Sequence, residues 1–259
     1  MIKGFRGLSR FQRSCREAFI FGLKSWSTAK MRDANPRFDE VWSAASSVPG
    51  WFYEANAVAI FQVLTALRPR RVVEIGSYMG KSTVFFARSL ETLGDDGRVT
   101  AIDPHSGDRQ QRESFGMSEI PTFDMFRTHL RLAGVEQLVD PVTTSSSEAA
   151  KGWTEPFQFL FVDGWHSYDA VLADGRDWVP NLDPNGVVVF DDALHYGDVR
   201  RAIAELDREG TIHLWGHYWG QAYAGRIPTP PPSVRSVLAA GRIEHFARRL
   251  ERALPGTVG

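Results

Sequence analysis

Three aspartates and one histidine follow two short apolar runs of the chain. Asp163 ends one run and is followed three residues later by His166, and Asp191 and Asp192 end the next run. If the runs are neighbouring parallel strands, their carboxyl ends meet at one edge of a sheet. Three carboxylates gathered there need a cation, and Mg²⁺ or another hard divalent ion prefers such oxygens. We therefore expect metal ligands at Asp163, Asp191 and Asp192, although single acids at strand ends often cap a helix or face solvent.

A glycine-rich turn follows an earlier apolar run. It reads Glu-Ile-Gly-Ser-Tyr-Met-Gly-Lys-Ser over residues 74–82. Its glycines allow a tight turn, and a helix beginning near Ser82 would direct free N–H groups at an anion. The turn has three residues between its glycines where a P-loop needs four, and it lacks the Gly-x-Gly-x-x-Gly of dinucleotide sites. Both nucleotide motifs are therefore excluded.

The acids near this turn favour a ligand that carries both charges. Glu74 at the strand end would repel a pyrophosphate but suits an ammonium group. Asp103 ends the next strand, where an acid typically binds ribose hydroxyls. S-adenosylmethionine (SAM) has an ammonium, a carboxylate and a ribose, so the pattern predicts a SAM site, with cofactor contacts expected at Glu74, Gly76, Ser77, Gly80, Ser82 and Asp103.

Four segments together resemble a known family. They are Val-Val-Glu-Ile-Gly-Ser-Tyr-Met-Gly-Lys-Ser (72–82), Ile-Asp-Pro (102–104), Phe-Val-Asp-Gly-Trp-His-Ser-Tyr (161–168) and Val-Val-Val-Phe-Asp-Asp (187–192). They are similar to class I SAM methyltransferases that act on sugar hydroxyls, such as those of macrolide antibiotic pathways. The resemblance covers about residues 48 to 200. It implies that Ser145 or Ser146 contacts the adenine region and that the three aspartates are Mg²⁺ ligands, although relatives can have Glu at one of the last two positions.

His166 is the expected catalytic base, because imidazole titrates near neutral pH and the intervening turn would bring it toward the metal. It would take the proton from a metal-bound sugar hydroxyl, whose oxygen would then attack the sulfonium methyl group. His195 is the alternative base, and His105 could line the pocket. Trp165 and Tyr168 could stack on a sugar ring, although a structural aromatic is at least as common.

The order of the elements predicts an α/β fold with a doubly wound, mostly parallel sheet. We expect an N-terminal helical extension over residues 1–48 and a methyltransferase domain over residues 49–259. The polar stretch 105–121 is the longest expected loop and a candidate substrate cover. The expected strands are 71–75, 99–102, 138–142, 157–162 and 187–190, and the expected helices are 54–67, 82–90, 123–132, 168–178, 199–206 and 234–254.

Composition limits the classes of partner. A net charge of -1 provides no overall attraction to nucleic acid, so a small-molecule or oligosaccharide acceptor fits better. Cys15 is the only cysteine, and no run is long and apolar enough to span a bilayer, so we expect a cytoplasmic protein. The basic N-terminal segment could form an amphipathic helix against its own domain, a membrane surface or a second subunit, and a homodimer is possible.

Three alternative functions remain open. One is a methyltransferase of a catechol-like phenol, and another is a methyltransferase of a macrolide sugar. A third is a SAM-binding regulator without chemistry, which would leave the aspartates and His166 without a role. A nucleic-acid amino methyltransferase is disfavoured because Asp-Gly-Trp-His stands where an Asn/Asp-Pro-Pro-Tyr element is expected.

Overall fold

The computed structural model describes residues 28–94, 96–107 and 122–253. Most of the expected N-terminal extension and most of the 105–121 loop therefore lie outside the described residues. The strands are β1 (Arg71–Ile75), β2 (Arg98–Ile102), β3 (Val139–Val142), β4 (Phe157–Val162), β5 (Leu182–Phe190), β6 (His213–Tyr218) and β7 (Gln221–Gly225). The α-helices are α1 (Phe38–Ser46), α2 (Glu54–Leu67), α3 (Lys81–Leu93), α4 (Thr122–Leu132), α5 (Ser146–Ala150), α6 (Tyr168–Trp178), α7 (Gly197–Arg208) and α8 (Pro232–Ala253).

The seven strands form one sheet in the order β3-β2-β1-β4-β5-β7-β6. Strands β1 to β5 are parallel, and β7 runs antiparallel to both of its neighbours. The mostly parallel α/β fold predicted from the sequence is thus confirmed. The order reverses between β1 and β4, which is the position where ligands bind in open α/β sheets.

Helices cover both faces of the sheet, because the central strands are apolar on both sides. Successive strand residues point to opposite faces, so Val72 packs into one core and Val73 into the other. The first core also contains residues of α1, α2 and α3, and the second contains residues of α6 and α7. Among the described helices, none combines the length and apolar character needed to cross a bilayer.

Candidate active site

The turn between β1 and α3 depends on two glycines. Gly76 has a φ of +88°, and a Cβ there would lie 2.2 Å from the backbone oxygen of Asp163. Gly80 has a φ of +92° and immediately precedes α3. The left-handed conformation and the close backbone approach both require glycine at position 76. The cofactor turn is therefore packed directly against the residue that ends β4.

Glu74 is fully buried beneath this turn. Thr83 Oγ1 donates a hydrogen bond of 2.5 Å to its Oε2 atom, whereas Oε1 has no hydrogen-bond partner among the described residues. Burial raises the pKa of Glu74 to about 8, and hydrogen bonds from Ser82 and Thr83 oppose the shift. Ser82, a predicted cofactor contact, is buried in the first turn of α3.

Asp103 links the ends of β1 and β2. Its Oδ2 accepts a hydrogen bond from the backbone N–H of Tyr78 at 2.8 Å, and its Oδ1 accepts one from the N–H of His105 at 2.7 Å. Each carboxylate oxygen retains a lone pair for another donor. Ser77, in the same turn, is buried, and its Oγ has no partner within the described part of the chain. Free acceptors and an unpartnered hydroxyl therefore line the predicted cofactor site.

The serines after β3 have other contacts. Ser145 caps α5 by accepting a hydrogen bond of 3.2 Å from the N–H of Glu148. The hydroxyl of Ser146 is hydrogen-bonded to Oδ1 of Asp174 on α6, and burial raises the pKa of that acid to about 6. The described contacts of Ser146 are therefore internal to the protein.

The second group of polar residues lies at the ends of β4 and β5. Ligand atoms of Asp163, His166 and Asp192 all lie within 4.8 Å of one another. Nε2 of His166 is 3.5 Å from Oδ1 of Asp163 and 3.6 Å from Oδ2 of Asp192, and this buried nitrogen has no hydrogen-bond partner among the described residues. The His166 ring stacks on Tyr196 at a centroid distance of 4.5 Å. Two carboxylates and one imidazole thus converge on one point.

Asp191 is absent from this group. Its Oδ1 accepts hydrogen bonds from the N–H of Asp192 at 2.9 Å and from Nδ2 of Asn56 at 3.4 Å. Asp192 has a φ of +54°, in the left-handed region, so consecutive carboxylates are directed differently. The structure therefore brings together two of the three predicted metal ligands with His166, and it holds Asp191 behind them.

The electrostatics of the group favour a bound cation. Burial raises the pKa of Asp163 well above its ordinary value, and the charges of Asp192 and Asp103 raise it further. The pKa of Asp191 is raised by burial and then by the charge of Asp163. A positive ion among these acids would remove the repulsion between them.

The other predicted residues are placed as follows. His195 is exposed, and its Nδ1 lies 2.9 Å from Oδ1 of Asp192. His105 is hydrogen-bonded to Thr122, and burial lowers the pKa of its ring. Trp165 is exposed beside the acid group, and the ring of Tyr168 contacts the guanidinium of Arg201 at 4.8 Å.

Sequence reasoning missed two residues around the acid group, Asn56 and Tyr196. Asn56 lies in the first turn of α2, more than a hundred positions before its partner Asp191. An asparagine on the mostly apolar first half of this helix was the signal that could have indicated a polar partner. Tyr196, four residues after Asp192, had no comparable signal.

Comparisons with known proteins show what the sequence and the fold of this chain are similar to. Residues 73–193 match a family model described as a methyltransferase domain. This stretch of the chain is therefore similar to that family. Its match includes the glycine turn and all of the strand-end acids described above. An uncharacterised protein of Sinorhizobium fredii is 32% identical over 168 residues, which cover 62% of this chain and 16% of that protein. The match thus spans about a sixth of that relative's length.

Solved structures with the same fold include three methyltransferases. A protein assigned as a caffeoyl-CoA O-methyltransferase from Staphylococcus aureus is 14% identical, with 78% of this chain and 97% of that chain covered and a TM-score of 0.56. A methyltransferase from Podospora anserina, solved with S-adenosylhomocysteine (SAH), is 11% identical over 86% and 99% of the two chains, with a TM-score of 0.54. A protein assigned as an O-methyltransferase from Klebsiella pneumoniae is 16% identical over 73% and 89%, with a TM-score of 0.51. At these identities the likeness concerns the fold.

Proposed function

We propose that this protein is a SAM-dependent O-methyltransferase that uses a divalent cation. The observation that carries the proposal is the group of Asp163, His166 and Asp192, which is packed against the glycine turn through the contact of Gly76 with Asp163. A donor site and a proton-removal site thus share one edge of the sheet. The match of residues 73–193 to a methyltransferase domain supports the same conclusion.

The residues of the turn fit SAM. Glu74 Oε1 and Ser77 Oγ are buried polar atoms without partners in the described residues, and a bound ligand that donates hydrogen bonds would satisfy them. Asp103, with its carboxylate already oriented by two backbone N–H groups, would accept the ribose hydroxyls. Ser146 remains our proposed contact near the adenine. SAM, when bound, supplies a methyl group on a sulfonium sulfur that an oxygen nucleophile can accept.

The acid group fits Mg²⁺ or a similar hard ion. Mg²⁺ is commonly held by one or two carboxylates and keeps several water ligands, so Asp163 and Asp192 would suffice on the protein side. When bound, the ion would lower the pKa of a coordinated acceptor hydroxyl. Asp191 would contribute to the site in one of two ways, either as a third ligand or by accepting the hydrogen bond from the N–H of Asp192 and so holding that residue in place.

His166 is the proposed base. Its Nε2 atom is unpartnered in the described structure, and its ring is held by stacking on Tyr196. A positioned imidazole beside the acceptor hydroxyl can take the proton as the oxygen–methyl bond forms. His195, which is in contact with Asp192, is the second candidate for this role.

The proposed acceptor is a sugar hydroxyl. The resemblance of the four sequence segments to sugar methyltransferases supports this choice, and we propose the 1-hydroxyl of a 3-O-methylated mannoside, as in methylmannose polysaccharide synthesis, as the first acceptor to test. An unactivated sugar hydroxyl is far less acidic than a phenol, so it has the greater need for a metal and a base together. A catechol-like phenol is the competing acceptor. A panel of mannosides, other sugars and catechols would identify the methylated product.

Methyl transfer should require the metal. Loss of a metal ligand and loss of the base should have different effects on turnover and on ligand affinity. We expect turnover to be lost in EDTA and restored by Mg²⁺, and Asp192→Ala to abolish turnover while SAM affinity is retained. His166→Ala should retain SAM and metal affinity and lose about 10² to 10⁴ in rate. The measurements are a methyl-transfer assay and calorimetric titrations of SAM and metal.

Each alternative gives a different result. Full activity in EDTA would contradict the metal, whereas a loss of metal affinity in His166→Ala would make this histidine a ligand and transfer the base role to His195. SAM binding without transfer to any acceptor would favour a regulator. Leu132, the last residue of α4, provides a control, because its side chain is 82% exposed and Leu132→Ala should change none of these quantities.

A further inference from the structure

Residues 50–56, here called the bridging segment, connect the two halves of the proposed site. At one end, Lys81 Nζ donates a hydrogen bond of 3.3 Å to the oxygen of Gly50, and the ring of Trp51 lies 5.5 Å from that of Tyr78 in the cofactor turn. At the other end, Asn56 donates to Asp191 after β5. Since β4 lies between β1 and β5, the segment passes across the end of β4.

Phe52 anchors the bridging segment in the core. It is buried, and its ring lies 5.2 Å from that of Phe85 and 5.9 Å from that of Phe161, which is two residues before Asp163. The segment is therefore fixed beside the acid group. The residues on either side of it are exposed, so their side chains are directed away from the core that holds Phe52.

Trp51 and Tyr53 are those neighbours, and both are exposed. Their exposed fractions are 62% and 61%, among the largest of the large apolar and aromatic side chains described. Tyr53 has extended backbone dihedrals and no side-chain capping bond to α2, so helix initiation does not explain its side chain. Exposed aromatic groups beside a site are typical of ligand contact.

We propose that Trp51 and Tyr53 form the acceptor-binding wall and that they bind a sugar ring. This inference rests on the proposed function and specifies its substrate contact. A sugar ring has a C–H face that can pack on an aromatic ring and a rim of hydroxyls that prefers water and polar groups. The partly exposed rings of Trp51 and Tyr53 would contact the C–H face of the sugar, and the neighbouring acids would contact its hydroxyls.

The test uses 3-O-methyl-D-mannose, which has a free 1-hydroxyl and is called the mannoside below, and catechol as probes, with the full chain, Mg²⁺ and either SAM or SAH. Trp51→Ala and Tyr53→Ala should each raise the KM for the mannoside roughly 10-fold or more, the loss expected on truncating an aromatic anchor. The kcat and the affinity for SAM should stay close to those of the parent. Trp51→Phe should recover most of the affinity, and Leu132→Ala is the control at another exposed apolar side chain, at the end of α4.

Saturation-transfer NMR of the mannoside with the SAH-bound protein separates this inference from the proposed function. Turnover of the mannoside with unchanged KM in both alanine variants would overturn the wall and leave the function intact. Mannoside binding that depends on Trp51 or Tyr53, without methyl transfer, would support the wall and contradict the function. Absence of mannoside binding, or losses confined to catechol, would overturn the assignment to sugars, and an equal loss of SAM affinity would make Trp51 a support for the cofactor turn.

Discussion

Asp191 and Asp192 are adjacent in the chain and have different surroundings. Asp192 directs a carboxylate oxygen at His166, whereas Asp191 is buried and accepts hydrogen bonds from Asn56 and from the N–H of Asp192. A buried carboxylate that fixes the backbone of its neighbour can determine where that neighbour's side chain lies. Asp191 can therefore support metal binding without contacting the ion.

Substitution of Asp191 should distinguish support from ligation. Asp191→Asn keeps an acceptor oxygen for both N–H donors, so we expect its Mg²⁺ affinity to stay close to that of the parent. Asp191→Ala removes the acceptor and should lower the affinity about 10- to 100-fold, the usual loss when a residue behind a metal ligand is changed. Calorimetric titration of Mg²⁺ into the SAH-bound protein measures both. An equal and large loss in the two variants would indicate that Asp191 is itself a ligand.

The sequence predicts where the site residues lie at the edge of the sheet, but it does not predict the orientation of every side chain. Asp163 and Asp192 meet because parallel strands end at one edge, which is a property of the strand pattern. The inward direction of Asp191 depends on the left-handed backbone at Asp192 and on Asn56 from a remote helix. Such a contact over 135 positions leaves no local pattern.

The packing of α6 on α7 connects the two loops that carry the acid group. Helix α6 follows the loop of His166, and α7 follows the loop of Asp192. At their contact, a Cβ added to Gly175 would lie 2.3 Å from Cδ1 of the fully buried Leu206. The close approach of these helices therefore depends on a glycine in the middle of α6.

Gly175→Ala should destabilise the protein even though alanine favours helix formation. The gain in helix propensity is at most about 1 kcal/mol, whereas overpacking a core typically costs about 1 to 3 kcal/mol. We expect a lower free energy of unfolding in denaturant titrations, with a smaller loss in Gly175→Ala/Leu206→Ala than the two single changes add up to. Gly197→Ala is the matched control, since the nearest atom to its Cβ is 3.7 Å away. A stabilised Gly175→Ala would contradict the proposed contact.

Elements with regular patterns were predicted, but their order in the sheet was not. The apolar runs that became β1 and β4 follow from burial on both faces, and the helix at residues 54–67 agrees with α2. The sequence pattern does not predict β6 or β7. Every residue of β6 before Tyr218 is only half-buried, and its pairing with β7 shifts register between Leu214 and Gly216, which disturbs the alternation that marks a strand.

At the scale of the whole molecule, several acids lie near the carboxyl edge of the sheet although the net charge is only -1. Glu74, Asp163 and Asp191 all have raised pKa values with burial as the main cause. Burial of ionised carboxylates opposes folding, so the ligand-free protein should lose stability as these groups ionise. Bound SAM and metal would offset that loss by supplying positive charge.

Glu74 provides the test of this effect. Its pKa rises from the usual 4.5 to about 8 in the folded protein, so the unfolded chain releases this proton at lower pH than the folded chain does. The contribution of Glu74 to the free energy of unfolding is therefore fully present below pH 4.5 and is lost as the pH rises toward 8. Glu74→Gln cannot ionise, so its thermal midpoint relative to the parent should rise steadily between these two pH values. Glu40→Gln, a change at an exposed glutamate of α1, should show a constant difference.

The ammonium of SAM should favour the ionised form of Glu74, so SAM binding at pH 7 should release a proton. Calorimetry in buffers of different ionisation enthalpy measures this release. A flat pH profile for Glu74→Gln minus parent, together with no proton release in the parent, would indicate that Glu74 is already ionised in the free protein and that Ser82 and Thr83 outweigh its burial.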